Sequence, residues 1–373
     1  MQVVNKKMCV IVIVVLVIIE SCTLFLMYKS YCNKNTNLDE VNLNISNSNM
    51  FAIMLEQEDG TYKEDTTNTW PTSGYAYNES MSGCVDINGN KLDGVLSYDA
   101  TNNIATVDTG NTSYCYLYFK IKQNLGEYLL KNPSNGLVTT SLQGGMYRYK
   151  GVTGEVDNYI CFGTSEKNDC INNTGIYMHR IIGINNNKQL KIIKDEALNE
   201  EVSWGESSFT DDSTWPDSLI YKYINDTEST NNYLKNETYV PTGWENKIAT
   251  YSWKYGVLSE TYDLMEPNAL EIYNVENRWT SSISAKIGLV YIHDFLYSND
   301  DINNSWLVKS PYYWTMTRSD NDMLYSAWYI PSDGVISTFG VGTTTPVYPT
   351  FYLNNDAEYV SGTGTPTNPF IIN

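Results

Sequence analysis

One apolar run governs how this chain can be arranged. Residues 8–27, MCVIVIVVLVIIESCTLFLM, stand between Lys6-Lys7 and Tyr28-Lys29, ahead of a long polar and acidic remainder. No other stretch approaches the roughly 18 consecutive apolar residues that cross a bilayer as a helix. A chain of this kind crosses once at most, with everything past about residue 30 on one side. The run has three readings. As an uncleaved signal anchor it tolerates Glu20, because many aliphatic residues at about −0.3 to −0.6 kcal/mol each outweigh one acid at about 2.5 to 3.5. As a lipoprotein signal it offers Cys22, though Glu20 fits that pattern poorly; plain cleavage after Ser21 is the third. The anchor is the expectation carried forward: a membrane segment at 1–29 and a polar stalk at 30–49, with the bulk of the chain extracellular.

Cysteine usage agrees with that placement. Cys9, Cys22 and Cys32 lie in or beside the apolar run, and the other four fall into local pairs, Cys84 with Cys115 and Cys161 with Cys170. Hairpin-scale pairs in a chain routed through a membrane predict two disulfides formed outside the cytoplasm. The alternative is four buried thiols. No CxxC or Cys/His spacing suggests zinc, and neither a metal nor a cofactor is expected. The formal net charge of −19 argues against nucleic acid as a partner. Thirty-one Tyr and nine Trp, mixed with Asn, Thr, Ser and Gly, suit β-rich extracellular folds with ordered loops.

From residue 50 the chain reads as short strands between turn signals at Asp59-Gly60, Asn88-Gly89, Asp93-Gly94 and Thr109-Gly110. This predicts an all-β, sandwich-like domain over 50–121, small enough to need a Cys84–Cys115 bridge. Residues 86–90, DINGN, resemble the start of a calcium loop, but Lys91 and Ser97 occupy the Gly and Glu positions, so a hairpin turn is expected. A short helix at 124–132, capped by Asn124 and stopped by Pro133, opens a second domain over 122–373. There, strands such as IYMHRIIGI and QLKIIKDEAL precede helical pieces at 218–225 (with Asp217 as cap) and 244–250. Strands then return through YYWTMTRS, LYSAWYIP and TFYLN, an α+β pattern without βαβ alternation.

The order MYRYKG, NYICFG, HRIIGI, KQLKIIKDEAL, SLIYKYIN, WENKIAT, IGLVYIHDF, YWTMTR and TFYLNNDAEYVSGTGTPTNPFII resembles a surface-protein family of gut Firmicutes. Members of that family carry one N-terminal membrane segment and a C-terminal domain of unknown function. That domain is similar in outline to the C-type-lectin-like and formylglycine-generating-enzyme fold group. The resemblance covers about 145–373 and implies an α+β C-type-lectin-like domain. Tyr348 stands where the family usually has Arg, so an anion contact by that Arg is not carried over. The formylglycine generators use a late pair of thiols, whereas no cysteine follows Cys170 here.

The chemistry expected is therefore recognition, not catalysis. His179 lies in an alternating strand and reads as structural; His293-Asp294 opens a helix, where Asp is usually a cap. Asp211, Asp212 and Asp217 around Trp215, and Asp320 and Asp322 after Arg318, leave a glycoside-acting enzyme with paired carboxylates as a remote alternative. Late aromatics suggest instead a glycan or protein ligand face, with Trp306, Tyr312, Arg318 and Tyr348 as binding residues. Trp314 and Trp328 lie on strands and are expected in the core. A structural envelope component with no small ligand is the competing function.

Overall fold

The structure is a computed structural model. It describes residues 50–373 except 68–69, 72–73, 100–103, 109–112, 141–145, 207–213, 227–231, 263–267, 310 and 321–324. The expected membrane segment at 1–29, the stalk at 30–49, Cys9, Cys22, Cys32 and the Thr109-Gly110 turn lie outside the described residues. Among the described residues no helix is long and apolar enough to cross a membrane. The chain divides into two compact units, Met1–Lys122 and Gln123–Asn373.

The fold class expected for the chain, a membrane helix followed by a sandwich and an α+β lectin-like domain, is corrected by this architecture. The described residues are mostly β-strand with few helices. The longest described α-helix is Ala269–Arg278, and the others run from four to seven residues. The helix expected at 218–225 forms as Leu219–Asn225, capped by the Ser218 hydroxyl rather than by Asp217. The one expected at 244–250 is a 3-10 turn, Trp244–Lys247, entered through Gly243 at φ 91°. Such short pieces fall below the length at which helices persist unaided, so packing on sheets decides their form.

In the first unit the sheet order is Tyr62–Asp65, Met50–Glu56, Ser113–Ile121, Gly83–Asp86, Lys91–Leu92, with Tyr75–Tyr77 on the far end of Ser113–Ile121. The alternation in SYCYLYFKI buries Ser113, Cys115, Leu117 and Phe119 and turns Tyr114 and Tyr116 outward. The hairpin of Leu96–Asp99 and Ile104–Val107 packs Tyr98 and Ala105 against Ile53, Trp70, Leu117 and Phe119. Trp70 stacks on Tyr98 at 5.3 Å and meets Phe119 edge-on at 5.1 Å. The hairpin thus covers one face of the sheet. Residues 86–90 form a turn in which Asp86 Oδ1 accepts the Asn88 and Asn90 amides.

Cys84 and Cys115 face each other across neighbouring strands and are bridged; Cys161 and Cys170 are bridged in the second unit. With its ends 31 positions apart, the first bridge constrains the unfolded chain by about 3 to 4 kcal/mol. Cys84→Ser is therefore expected to lower the midpoint of the first unit's denaturant transition while sparing that of the second. Tryptophan fluorescence and circular dichroism follow the two transitions.

The second unit is built on a seven-stranded sheet ordered Ile287–Gly288, Thr350–Tyr352, Leu190–Lys194, Met178–Ile184, Tyr147–Tyr149, Leu137–Thr139, with Tyr159–Cys161 also on Met178–Ile184. All residues of Met178–Ile184 and Leu190–Lys194 are buried, as befits central strands covered on both faces. A four-stranded sheet follows the order Val257–Leu258, Tyr312–Ser319, Ser326–Pro331, Ser337–Gly340. One continuous core joins them, including Trp204, Trp215, Trp253, Trp306 and Trp314.

Candidate functional site

Cross-strand register places Arg148, Gly183, Lys191 and Tyr352 side by side on four neighbouring strands. Gly183 makes room for the guanidinium: a Cβ there would lie 2.7 Å from Arg148 Nη1 and 2.3 Å from the Tyr147 carbonyl. Two cations thus share one buried row, and both converge on Asp294. Lys191 Nζ donates to Asp294 Oδ2 at 2.5 Å, and Arg148 Nη2 lies 3.5 Å from Oδ1. The same Oδ2 accepts the Tyr291 amide at 3.0 Å, so Asp294 caps the helix Ile292–Leu296 while pinning it to the sheet. Burial opposes ionisation of this carboxyl. Lys191, His293 and Arg148 together override it and hold the group well below the ordinary carboxylate range.

A second carboxylate arrives from the helix Ala269–Arg278, whose spacing puts Tyr273, Glu276 and Asn277 on one face. Glu276 Oε1 accepts Thr317 Oγ1 at 2.6 Å and the Ile292 amide at 3.2 Å; Oε2 accepts the His293 amide at 3.1 Å. His293 Nδ1 meets Oε2 at 2.6 Å, which assigns the Nδ1 proton to that bond. The imidazole stacks on Tyr291, with centroids 5.1 Å apart, and meets Tyr273 edge-on.

Around these groups lies a small cleft, about 80 Å³ in volume and open at its mouth. Arg148, Glu276, His293, Tyr273, Tyr291 and Tyr352 form its buried lining; Met146, Tyr251, Ser252, Lys254 and Asn277 form the more exposed part. Tyr251 stacks on Tyr352 at 4.0 Å. Lys254 Nζ donates to the Asn277 carbonyl. Aromatic faces beside fixed polar groups, in a concave setting, are the usual make-up of a small-ligand site.

The residues expected to bind do not gather here or elsewhere. Trp306 is 1% exposed; its Nε1 donates to the Tyr149 carbonyl at 3.0 Å and its ring packs on the Arg180 guanidinium at 4.6 Å. Tyr348 is 5% exposed and packs on Tyr313, and burial raises its hydroxyl to about 12. Both are core side chains. Tyr312 and Arg318 are half-buried at opposite ends of the strand Tyr312–Ser319, roughly 20 Å apart along it. Trp314 and Trp328 are buried as well. His179 is fully buried between Phe162 and Phe351, and burial and then Lys194 bring it down to about 3, leaving it neutral.

Of the carboxylates considered for catalysis, Asp217 closes a capping box with Thr214 and Asp320 accepts the Glu260 amide; Asp211, Asp212 and Asp322 lie outside the described residues. Sequence reading passed over Arg148, Lys191 and Glu276. The available signal was Lys191 between apolar neighbours in LKIIK, a buried charge that needs a partner. No protein-family model, no curated protein and no solved structure matches the chain.

Proposed function

We propose that the chain is a non-catalytic binding module that matures outside the reducing cytoplasm and takes a small glycan in the cleft of its Gln123–Asn373 unit. One observation carries this reading: Tyr251, Tyr273, Tyr291 and Tyr352 line a cleft whose polar floor is fixed by neighbouring elements. Aromatic faces pack against the C–H faces of sugars, and preset hydrogen-bonding groups select their hydroxyls. The two disulfides favour an oxidising compartment. The charge of −19 disfavours nucleic acid. Binding is preferred to catalysis because the carboxylate that lines the cleft and the one behind it both serve structure, Glu276 on two backbone amides and Asp294 on two cations. Burial of Trp306 and Tyr348 favours the competing role of a structural envelope component with no small ligand.

A glycan array probed with the full chain separates the two. Binding is expected, and Tyr251→Ala should weaken it about tenfold with the melting profile kept, because half-buried contact residues carry affinity more than stability. A blank array leaves the structural role.

A further inference from the structure

The cleft is richer in hydrogen-bond donors and in positive charge than the chain that holds it. The whole sequence carries a net charge of −19. The groups lining the cleft include Arg148 and Lys254 against Glu276 alone. Directly behind them Lys191 is paired with Asp294, which leaves one cation in surplus before His293 is counted.

The acceptors are largely engaged. Glu276 takes two backbone amides, Thr317 and His293. Asp294 Oδ2 takes Lys191 and the Tyr291 amide. Asp294 Oδ1 has no hydrogen bond, but it is shielded by Arg148 Nη2 at 3.5 Å and His293 Nε2 at 3.6 Å. The donors are less fully used. Arg148 is 3% exposed, and its Nε has no partner among the described residues. His293 Nε2 lies 3.6 Å from Asp294 Oδ1, too far for a hydrogen bond. Among the described residues the Lys254 ammonium, with three protons, meets the carbonyl and side-chain oxygen of Asn277.

We infer that the cleft selects an acidic monosaccharide, a sugar ring bearing one carboxylate. This rests on the glycan-binding reading above. The carboxylate lies toward Lys254 and the guanidinium of Arg148, where the surplus charge is, and the ring lies on the tyrosines. A single carboxylate balances a single surplus cation, whereas a dianionic phosphate overshoots it.

The test is isothermal titration of the full chain with methyl glucuronide, methyl glucoside and glucose 6-phosphate. The glucuronide is expected to bind about tenfold more tightly than the glucoside, and the preference should shrink as salt is raised. Lys254→Gln keeps a donor for Asn277 and removes the charge; it should bring the two sugars to within about threefold of each other. Should that variant fail to fold, the salt dependence of the natural protein decides the matter. Equal or tighter binding of the glucoside, or tightest binding of the phosphate, overturns the carboxylate assignment and leaves glycan binding standing. Absence of binding by all three overturns both.

Discussion

Raising the pH past about 10 is expected to unfold the Gln123–Asn373 unit over roughly one pH unit. Tyr149, Tyr233, Tyr291, Tyr313 and Tyr352 are buried, and burial holds their hydroxyls above the ordinary tyrosine value. In the folded state they stay protonated while the unfolded chain ionises. Their contribution is therefore fully present below about pH 10 and is lost as pH rises toward the folded values. Each such group costs about 1.4 kcal/mol at one unit above its unfolded pKa, so five cost about 7. That is comparable with the whole stability of an ordinary domain. Lys194 acts in the opposite direction: burial brings it down to about 8, so the unit gains up to about 3 kcal/mol between pH 8 and 10.4 and nothing beyond. The expected profile is a slight rise and then a collapse. Tyrosinate absorbance and circular dichroism should change together; gradual ionisation of these tyrosines without loss of structure would contradict it.

What could be read from the sequence is what lies close along the chain. Asn124 caps its helix through the Glu127 amide because cap chemistry is local. Cys84 and Cys115 were recognisable as a pair because they lie near each other along the chain, and they face each other on neighbouring strands. The first unit's alternation showed which face is buried. The cleft was not visible, since it depends on sheet order. Arg148, Lys191 and Tyr352 share a row only because three separate pairings set them there with Gly183 between the cations. No periodicity within any one strand encodes that. The helix-start reading of Asp294 captured its contact with the Tyr291 amide and missed the two cations, which approach from residues 148 and 191. Trp306 misled for a related reason. Trp306 follows a polar turn, but its indole folds under the Tyr149 strand and onto Arg180, a partner 126 residues earlier.

Asp294→Asn should be the most damaging single substitution at the cleft, at about 3 to 5 kcal/mol. The side chain is fully buried, as is Lys191, and Arg148 is nearly so. An amide keeps an oxygen for the Tyr291 amide but removes the charge that two buried cations share. Those cations then lack compensation at buried positions, and this exceeds the loss of any one hydrogen bond. Lys191→Met in the same chain removes one uncompensated charge and places an apolar side chain against Trp253, Tyr291 and Tyr352, so the double variant should recover much of the loss. Acid separates this from simple cavity formation. The carboxyl is held below its ordinary value of 3.8, so its contribution is present above about pH 4 and is lost as pH falls through the lower folded value. Urea unfolding of the natural chain should weaken below pH 4, while the Asn variant, already without the charge, should lose less over the same range. If the single variant costs under about 1 kcal/mol, the pair contributes no more than an exposed ion pair would, and Lys191 is neutral in the folded chain.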